Sequence, residues 1–188
     1  MVLKCVSTSD GNTSFMISNV SLVSCSGILK IYQQHEGTIM QANKEYALLT
    51  KTKPPTMRSY ESIVSEGLPV KSVSNMITTF GISKEQVATV LGISKRRIDQ
   101  LEQMRVAQKK AGSKAKGLNK DSTERAFMLA HSFLKAVAYF GSEENARKWF
   151  HTKNLSLGDK TPFETCITLF GIRRVENTIL KLQHGMTA

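Results

Sequence analysis

From Gly67-Leu68-Pro69 onward, apolar side chains recur every three or four positions and capping residues interrupt them, the pattern of short amphipathic helices. Val70, Val73, Ser74 and Ile77 stand at i, i+3, i+4 and i+7, with Phe80 beyond and Gly81 placed to end the helix. Ser83 with Gln86 forms a capping box for a helix through Leu91, and Ser94 caps the next, through about Met104. Asp121 or Ser122 opens a long helix in which Phe127, Leu129, Ala130, Phe133, Leu134, Val137, Ala138 and Phe140 fill more than one stripe, so it is expected to be central and buried. Ser142 with Glu143 and Glu144 starts another, which puts Ala146, Trp149 and Phe150 on one side. After a turn at Asn154 to Gly158, Thr161-Pro162-Phe163-Glu164 supplies N-cap, first-position proline and capping-box glutamate. The face of that helix reads Phe163, Cys166, Ile167 and Phe170, closed by Gly171, and a last helix with Val175, Thr178, Ile179 and Leu182 stops near Gly185. No stretch alternates with period two for long enough to form a sheet, so the expected fold class is all-α.

Residues 1 to 60 are rich in Ser, Thr, Asn and Gly, hold no sustained period, and end in Lys51-Thr52-Lys53-Pro54-Pro55. They read as an irregular or disordered tail. Met40 opens a segment containing every ordered element in this reading, so a second expectation is that translation starts there; a native peptide from upstream of Met40 would contradict it. Residues 66 to 104 read as a helix-turn-helix domain and 121 to 188 as a second helical domain. Between them, residues 105 to 120 hold six basic residues, no acidic ones and two glycines, as an exposed linker would.

Charge sharpens this division. Twenty-six Lys and Arg against fifteen Asp and Glu give +11 over 188 residues, and the middle third, residues 61 to 120, carries +6 of it. Such a surface attracts polyanions. With 40% hydrophobic and 22% charged residues the chain is not wholly disordered, and no run of about 18 apolar residues offers a membrane span. Leu22-Val23-Ser24-Cys25 looks like a lipoprotein cleavage box, but Asp10, Asn12 and Asn19 interrupt the apolar region a signal peptide needs. Cys5, Cys25 and Cys166 are odd in number and unrelated in spacing, which fits neither a disulfide framework nor a zinc cage and points to a reducing, cytoplasmic setting.

A helix-turn-helix needs a small residue where its helices cross, a glycine in the turn, and apolar residues that fix the angle between helices. With Ala88 at the crossing, Val87 and Leu91 fall inside, Gly92 in the turn, Ile93 after it, and Ile98 and Leu101 on the second helix. That helix presents Ser94, Lys95, Arg96, Arg97 and Gln100 near its start, where such modules meet DNA. Arginine holds guanine and glutamine holds adenine in two-pronged pairs, while lysine more often meets phosphate.

In the C-terminal half, Asn145-Ala146-Arg147-Lys148-Trp149-Phe150, Asn154-Leu155-Ser156-Leu157-Gly158, Thr161-Pro162-Phe163-Glu164, and Gly171 with Val175, Ile179, Leu180 and His184-Gly185 form a longer pattern. It resembles the toxin-binding domain of Xre/MbcA/ParS antitoxins. With Gly67-Leu68-Pro69 and the helix-turn-helix, the resemblance runs from about residue 66 to 186 and is to the Xre-type antitoxin of a RES–Xre pair. The chain departs from that family at Asp159, where a second glycine is common, and at Thr165 and Cys166, where larger aliphatic residues are common. The resemblance implies a non-enzymatic protein that covers the active site of a cognate NAD-consuming RES-domain toxin and represses its own operon by binding operator DNA; because a helix-turn-helix usually acts as a dimer on a palindromic site, a homodimer joined through the second domain is expected. It also implies that the last helix and tail approach the toxin's cleft, which carries over to Arg173, Arg174, Asn177, Lys181, Gln183 and His184.

Other chemistry finds little support. His35, His131, His151 and His184 lack metal-ligand spacing, and His131, on an otherwise apolar helix, reads as a hydrogen-bonded, half-buried side chain. Trp149 and Phe150 read as core, and no dinucleotide fingerprint, phosphate loop or nucleophile turn is present, so neither cofactor nor catalysis is expected. Two alternatives remain: a stand-alone dimeric helix-turn-helix repressor, and a regulator that uses the basic segment for non-specific DNA contact with steep salt dependence.

Overall fold

A computed structural model of the chain describes residues 4–7, 13–16, 39–54, 58–110 and 117–185. The chain divides into two compact units, Met1–Gln41 and Ala42–Ala188. In the first, strands β1 (Lys4–Ser7) and β2 (Thr13–Met16) pair antiparallel with Cys5 opposite Phe15 and Val6 opposite Ser14. Each strand is four residues long, too short for its alternation to register in the sequence. Most of the expected tail, including 17–38, and residues 111–116 and 186–188 lie outside the described residues.

The second unit is helical. Helix α1 covers 39–50. It is followed by α2 (Tyr60–Glu66), α3 (Lys71–Phe80), α4 (Lys84–Leu91), α5 (Lys95–Lys110), α6 (Lys120–Phe140), α7 (Glu143–Phe150), a 3-10 turn (Leu155–Leu157), α8 (Pro162–Thr165) and α9 (Leu169–Gln183). The expected all-α class holds. The 21-residue α6 is its spine, packing against α2 and α4 on one side of the core and α7 and α9 on the other. Its Phe127, Leu129, Ala130, Phe133 and Ala136 are buried, and Phe133 lies 5.0 Å from Phe80 and 5.4 Å from Phe150, ring centre to ring centre. An aromatic cluster therefore joins α3, α6 and α7.

Local chemistry sets most helix starts as expected. Ser83 and Gln86 exchange both bonds of a capping box, as do Thr161 and Glu164, and the Ser142 side chain accepts from the Asn145 N–H. Helix α6 begins two or three residues earlier than expected: Asn119 is its N-cap, and Ser122 is buried with its hydroxyl donating to the Leu91 carbonyl, 2.9 Å away.

Four expectations are corrected. Residues 39–50 are not irregular: Ala42, Tyr46 and Leu49, at i, i+4 and i+7, turn inward, and Asn75 Nδ2 donates to the Leu49 carbonyl (3.0 Å). The polar neighbours of those three residues hide a helical period that is present.

At its two described ends the segment 105–120 is built into the helical unit rather than standing apart from it. Residues 105–110 continue α5, and the buried Leu118 donates its N–H to the Leu68 carbonyl at 2.8 Å. Gly67 and Gly117 allow this approach, since a Cβ on either would lie 2.3 or 2.6 Å from a facing carbonyl oxygen. The helices on either side share one apolar core.

On α3 the buried side is Val70, Val73, Met76 and Phe80 with Ser72 and Thr79, while Ser74 faces solvent. Contact with both α1 and α4 buries more than one stripe and shifts the phase. Finally, the helix opened by Pro162 stops at Thr165, and Thr168 caps a new helix through the Gly171 N–H. Gly171 therefore sits in the first turn of α9, and Phe170 is 74% exposed where a core position was expected.

Candidate functional site

Helices α4 and α5 form the expected helix-turn-helix. Val87, Ala88, Leu91, Ile98 and Leu101 are buried, Ile93 packs against the core, and Gly92 turns the chain at φ 68° with its N–H on the α4 carbonyls. Without a Cβ, glycine takes this left-handed conformation at no steric cost. Ser94 starts α5 by accepting from the Arg97 N–H (3.2 Å), and Lys95, Arg96, Arg97 and Gln100 are all exposed along the first turns.

Their charges are not equivalent. The Lys95 ammonium is bonded to Glu85 on α4, which raises the lysine pKa and holds the Glu85 carboxyl down at about 2, chiefly through that hydrogen bond. Lys84 is held by Asp99 (2.6 Å) and Glu102 (2.8 Å), so α4 and α5 are stitched together by their own ion pairs. Among the described residues, Arg96 and Arg97 have no carboxylate within ion-pair distance. Their donors remain available to a ligand, and a guanidinium suits both guanine edges and phosphate.

The second candidate group lies on α9. Its inward side is Ile172, Val175, Thr178 and Ile179, and Arg173, Arg174, Asn177, Lys181, Gln183 and His184 are all exposed. Arg174, Asn177, Lys181 and His184 come together along an open cleft of about 400 Å³ between α9 and the 3-10 turn, where Arg174 Nη2 donates to the Ser156 carbonyl (3.3 Å). Arg173 and Gln183 do not line it. Phe170, at i−4 from Arg174, extends the stripe, and Leu180 and Leu155 add exposed apolar surface, Leu155 being 87% exposed. The sequence reading missed Phe170 because periodicity placed it on the face of the preceding helix. The turn beside the cleft departs from glycine at Asp159, which takes φ 59°, a conformation Asp tolerates better than most residues.

Between the two groups, α7 grips the end of α3. Arg147 Nε donates to the Thr79 carbonyl at 2.9 Å and His151 Nε2 lies 2.8 Å from the Phe80 carbonyl, which makes that nitrogen the donor. Two basic side chains thus meet the negative end of a helix. His131 is half-buried and hydrogen-bonded as expected, 2.6 Å from Glu45. The buried Cys166 thiol is pushed up to about 12 by burial and, secondarily, by Glu176, so it does not ionise near neutral pH. Among the described residues no helix is long and apolar enough to cross a membrane.

A helix-turn-helix whose exposed arginines meet no carboxylate among the described residues is thus built on the same spine as a second helical module with an exposed aromatic-and-cationic face. Comparison with family models is specific about both halves: residues 60–131 match the antitoxin Xre-like helix-turn-helix domain, and residues 135–185 match the antitoxin Xre/MbcA/ParS C-terminal toxin-binding domain. The chain belongs to the Xre/MbcA/ParS-type antitoxins. A comparison with curated proteins finds no match. The two matched regions meet inside α6, so a single helix serves both.

Proposed function

We propose that this antitoxin neutralises a NAD-consuming RES-domain toxin by laying the outward face of α9 over the toxin's active site, and that it represses its own operon as a homodimer through the first turns of α5. The observation that carries the first part is the stripe of Phe170, Arg174, Asn177, Lys181 and His184, exposed together within the region matched to a toxin-binding domain. An exposed aromatic anchor with cations around it is the composition of an energetic centre in a protein interface. Its cations suit pairing with acidic catalytic groups of such an enzyme. The operator part is supported by Arg96, Arg97 and Gln100 on the reading end of α5, together with the match to an antitoxin helix-turn-helix. The toxin-binding match favours this reading over a stand-alone repressor, and a cytoplasmic setting goes with it.

Co-expression with the neighbouring gene tests it. The two products are expected to co-purify, and the antitoxin to suppress the NAD loss that the neighbour causes alone. A neighbour whose activity is untouched by saturating antitoxin would overturn the reading.

A further inference from the structure

We propose that Arg125, on α6, is a DNA phosphate contact, lent to the helix-turn-helix by the helix that also carries the toxin-binding module; this rests on the DNA-binding reading above. Ser122 and Arg125 stand at i and i+3 on α6, and the Ser122 hydroxyl donates to the Leu91 carbonyl, so this face of α6 lies on the turn between α4 and α5. A Cβ built on Gly92 would be 3.4 Å from Arg125 Nε and 3.5 Å from its Cζ. The guanidinium therefore runs along the exposed turn that delivers Ser94, Lys95 and Arg96 to the reading end of α5. When the start of a recognition helix enters the major groove, the chain just before it is brought close to the sugar-phosphate backbone.

The second observation is what Arg125 does not touch. Lys84 and Lys95 are engaged by carboxylates, and Arg147, which packs on the end of α3 in a comparable way, spends a donor on the Thr79 carbonyl. Arg125 is half-buried, yet among the described residues no acceptor or carboxylate is bonded to it, not even Asp121 one turn back on its own helix. A half-buried guanidinium with five unspent donors, positioned by its stem at the edge of the reading surface, suits a phosphate oxygen. Its position on α6, behind the turn, points to backbone rather than base contact, so it contributes affinity without sequence preference. A purely structural role, as a cation near the C-terminal end of α4, would change stability but leave the ionic dependence of binding alone.

The test uses the full-length protein with a duplex from upstream of its own gene and a scrambled duplex of equal length, titrated from 50 to 200 mM KCl, with thermal unfolding in parallel. Arg125→Gln is expected to weaken binding to both duplexes by the same factor. It should also flatten the log–log salt slope by about 0.9, so that the fourfold rise in salt costs the wild type about 3.5-fold more affinity than the variant. Arg125→Lys should restore the slope. Weaker binding by Arg125→Gln with an unaltered slope, or loss confined to one duplex, would overturn the assignment. A wild type that binds neither duplex would overturn the DNA-binding reading itself, and this inference with it.

Discussion

Replacing Gly171 by alanine sets two physical effects against each other within one residue. Gly171 lies in the first turn of α9, fully buried, with its N–H donating to Thr168 Oγ1 at 3.0 Å. Inside a helix, alanine is favoured over glycine by about 1 kcal/mol. A Cβ here, however, would stand 1.7 Å from the Thr165 carbonyl oxygen and 2.8 Å from its carbon, where ordinary contact is 3.4–4 Å. Both obstructions are backbone, so relief requires α8 and α9 to part, which pulls Phe163 and Cys166 away from the buried face of α9. Overpacking of this kind costs about 1–3 kcal/mol and occasionally more, and a backbone clash belongs at or above the upper end, leaving a net loss of about 2–3 kcal/mol after the propensity gain. For a chain of this size that corresponds to a fall in Tm of roughly 5–10 °C. Thermal unfolding followed by circular dichroism measures it. Gly141→Ala is the control, because nothing lies within 4 Å of its Cβ and only its left-handed backbone (φ 80°) resists alanine, at about 1–2 kcal/mol. A Gly171→Ala protein that melts at or above the wild-type temperature would refute the reasoning, since it would mean that the α8–α9 crossing absorbs a methyl group freely.

Three further outcomes are expected. Arg96→Ala with Arg97→Ala should lower operator affinity at about 1–3 kcal/mol per lost base contact and leave Tm unchanged; undiminished operator binding, measured by fluorescence anisotropy, would contradict the role given to α5. Phe170→Ala should weaken toxin binding by about 2 kcal/mol or more without destabilising the free antitoxin, because the ring is already in water, and calorimetric titration with the toxin tests both halves. Cys166 carries a pH prediction: its folded pKa is raised from 9.0 to about 12, so above pH 9 the unfolded chain loses a proton that the folded chain keeps. Its contribution is therefore complete below pH 9 and declines as pH rises towards 12, by up to about 1.4 kcal/mol per unit, and Cys166→Ala should flatten urea-measured stability between pH 9 and 10.5. An identical alkaline slope in the variant would remove the thiol from the account.

Local rules carried much of this molecule. Capping at Ser83, Ser94, Ser142 and Thr161 depends on residues three apart, and the helix-turn-helix register on the fifteen consecutive positions from Val87 to Leu101, so both were legible without a fold. The Phe170 error arose where a local rule met a competitor. The period from Phe163 to Phe170 continues smoothly, but Thr168 captures the Gly171 N–H and restarts the helix, rotating Phe170 out of the core and onto the exposed face of α9. Helix α1 shows the reverse case, a real period hidden among polar neighbours.

By itself the sequence determined several helix starts, the register of the helix-turn-helix and the family pattern that the C-terminal half follows, because each depends on side chains that are neighbours along the chain. Only the tertiary structure decided that the basic segment is pinned through Leu118 to Leu68 and that one helix, α6, underlies both binding modules. It alone set Arg125 against Gly92, 33 positions away. These are encounters between residues remote in the chain, and they follow from how helical faces pack around a shared core, which no local pattern encodes.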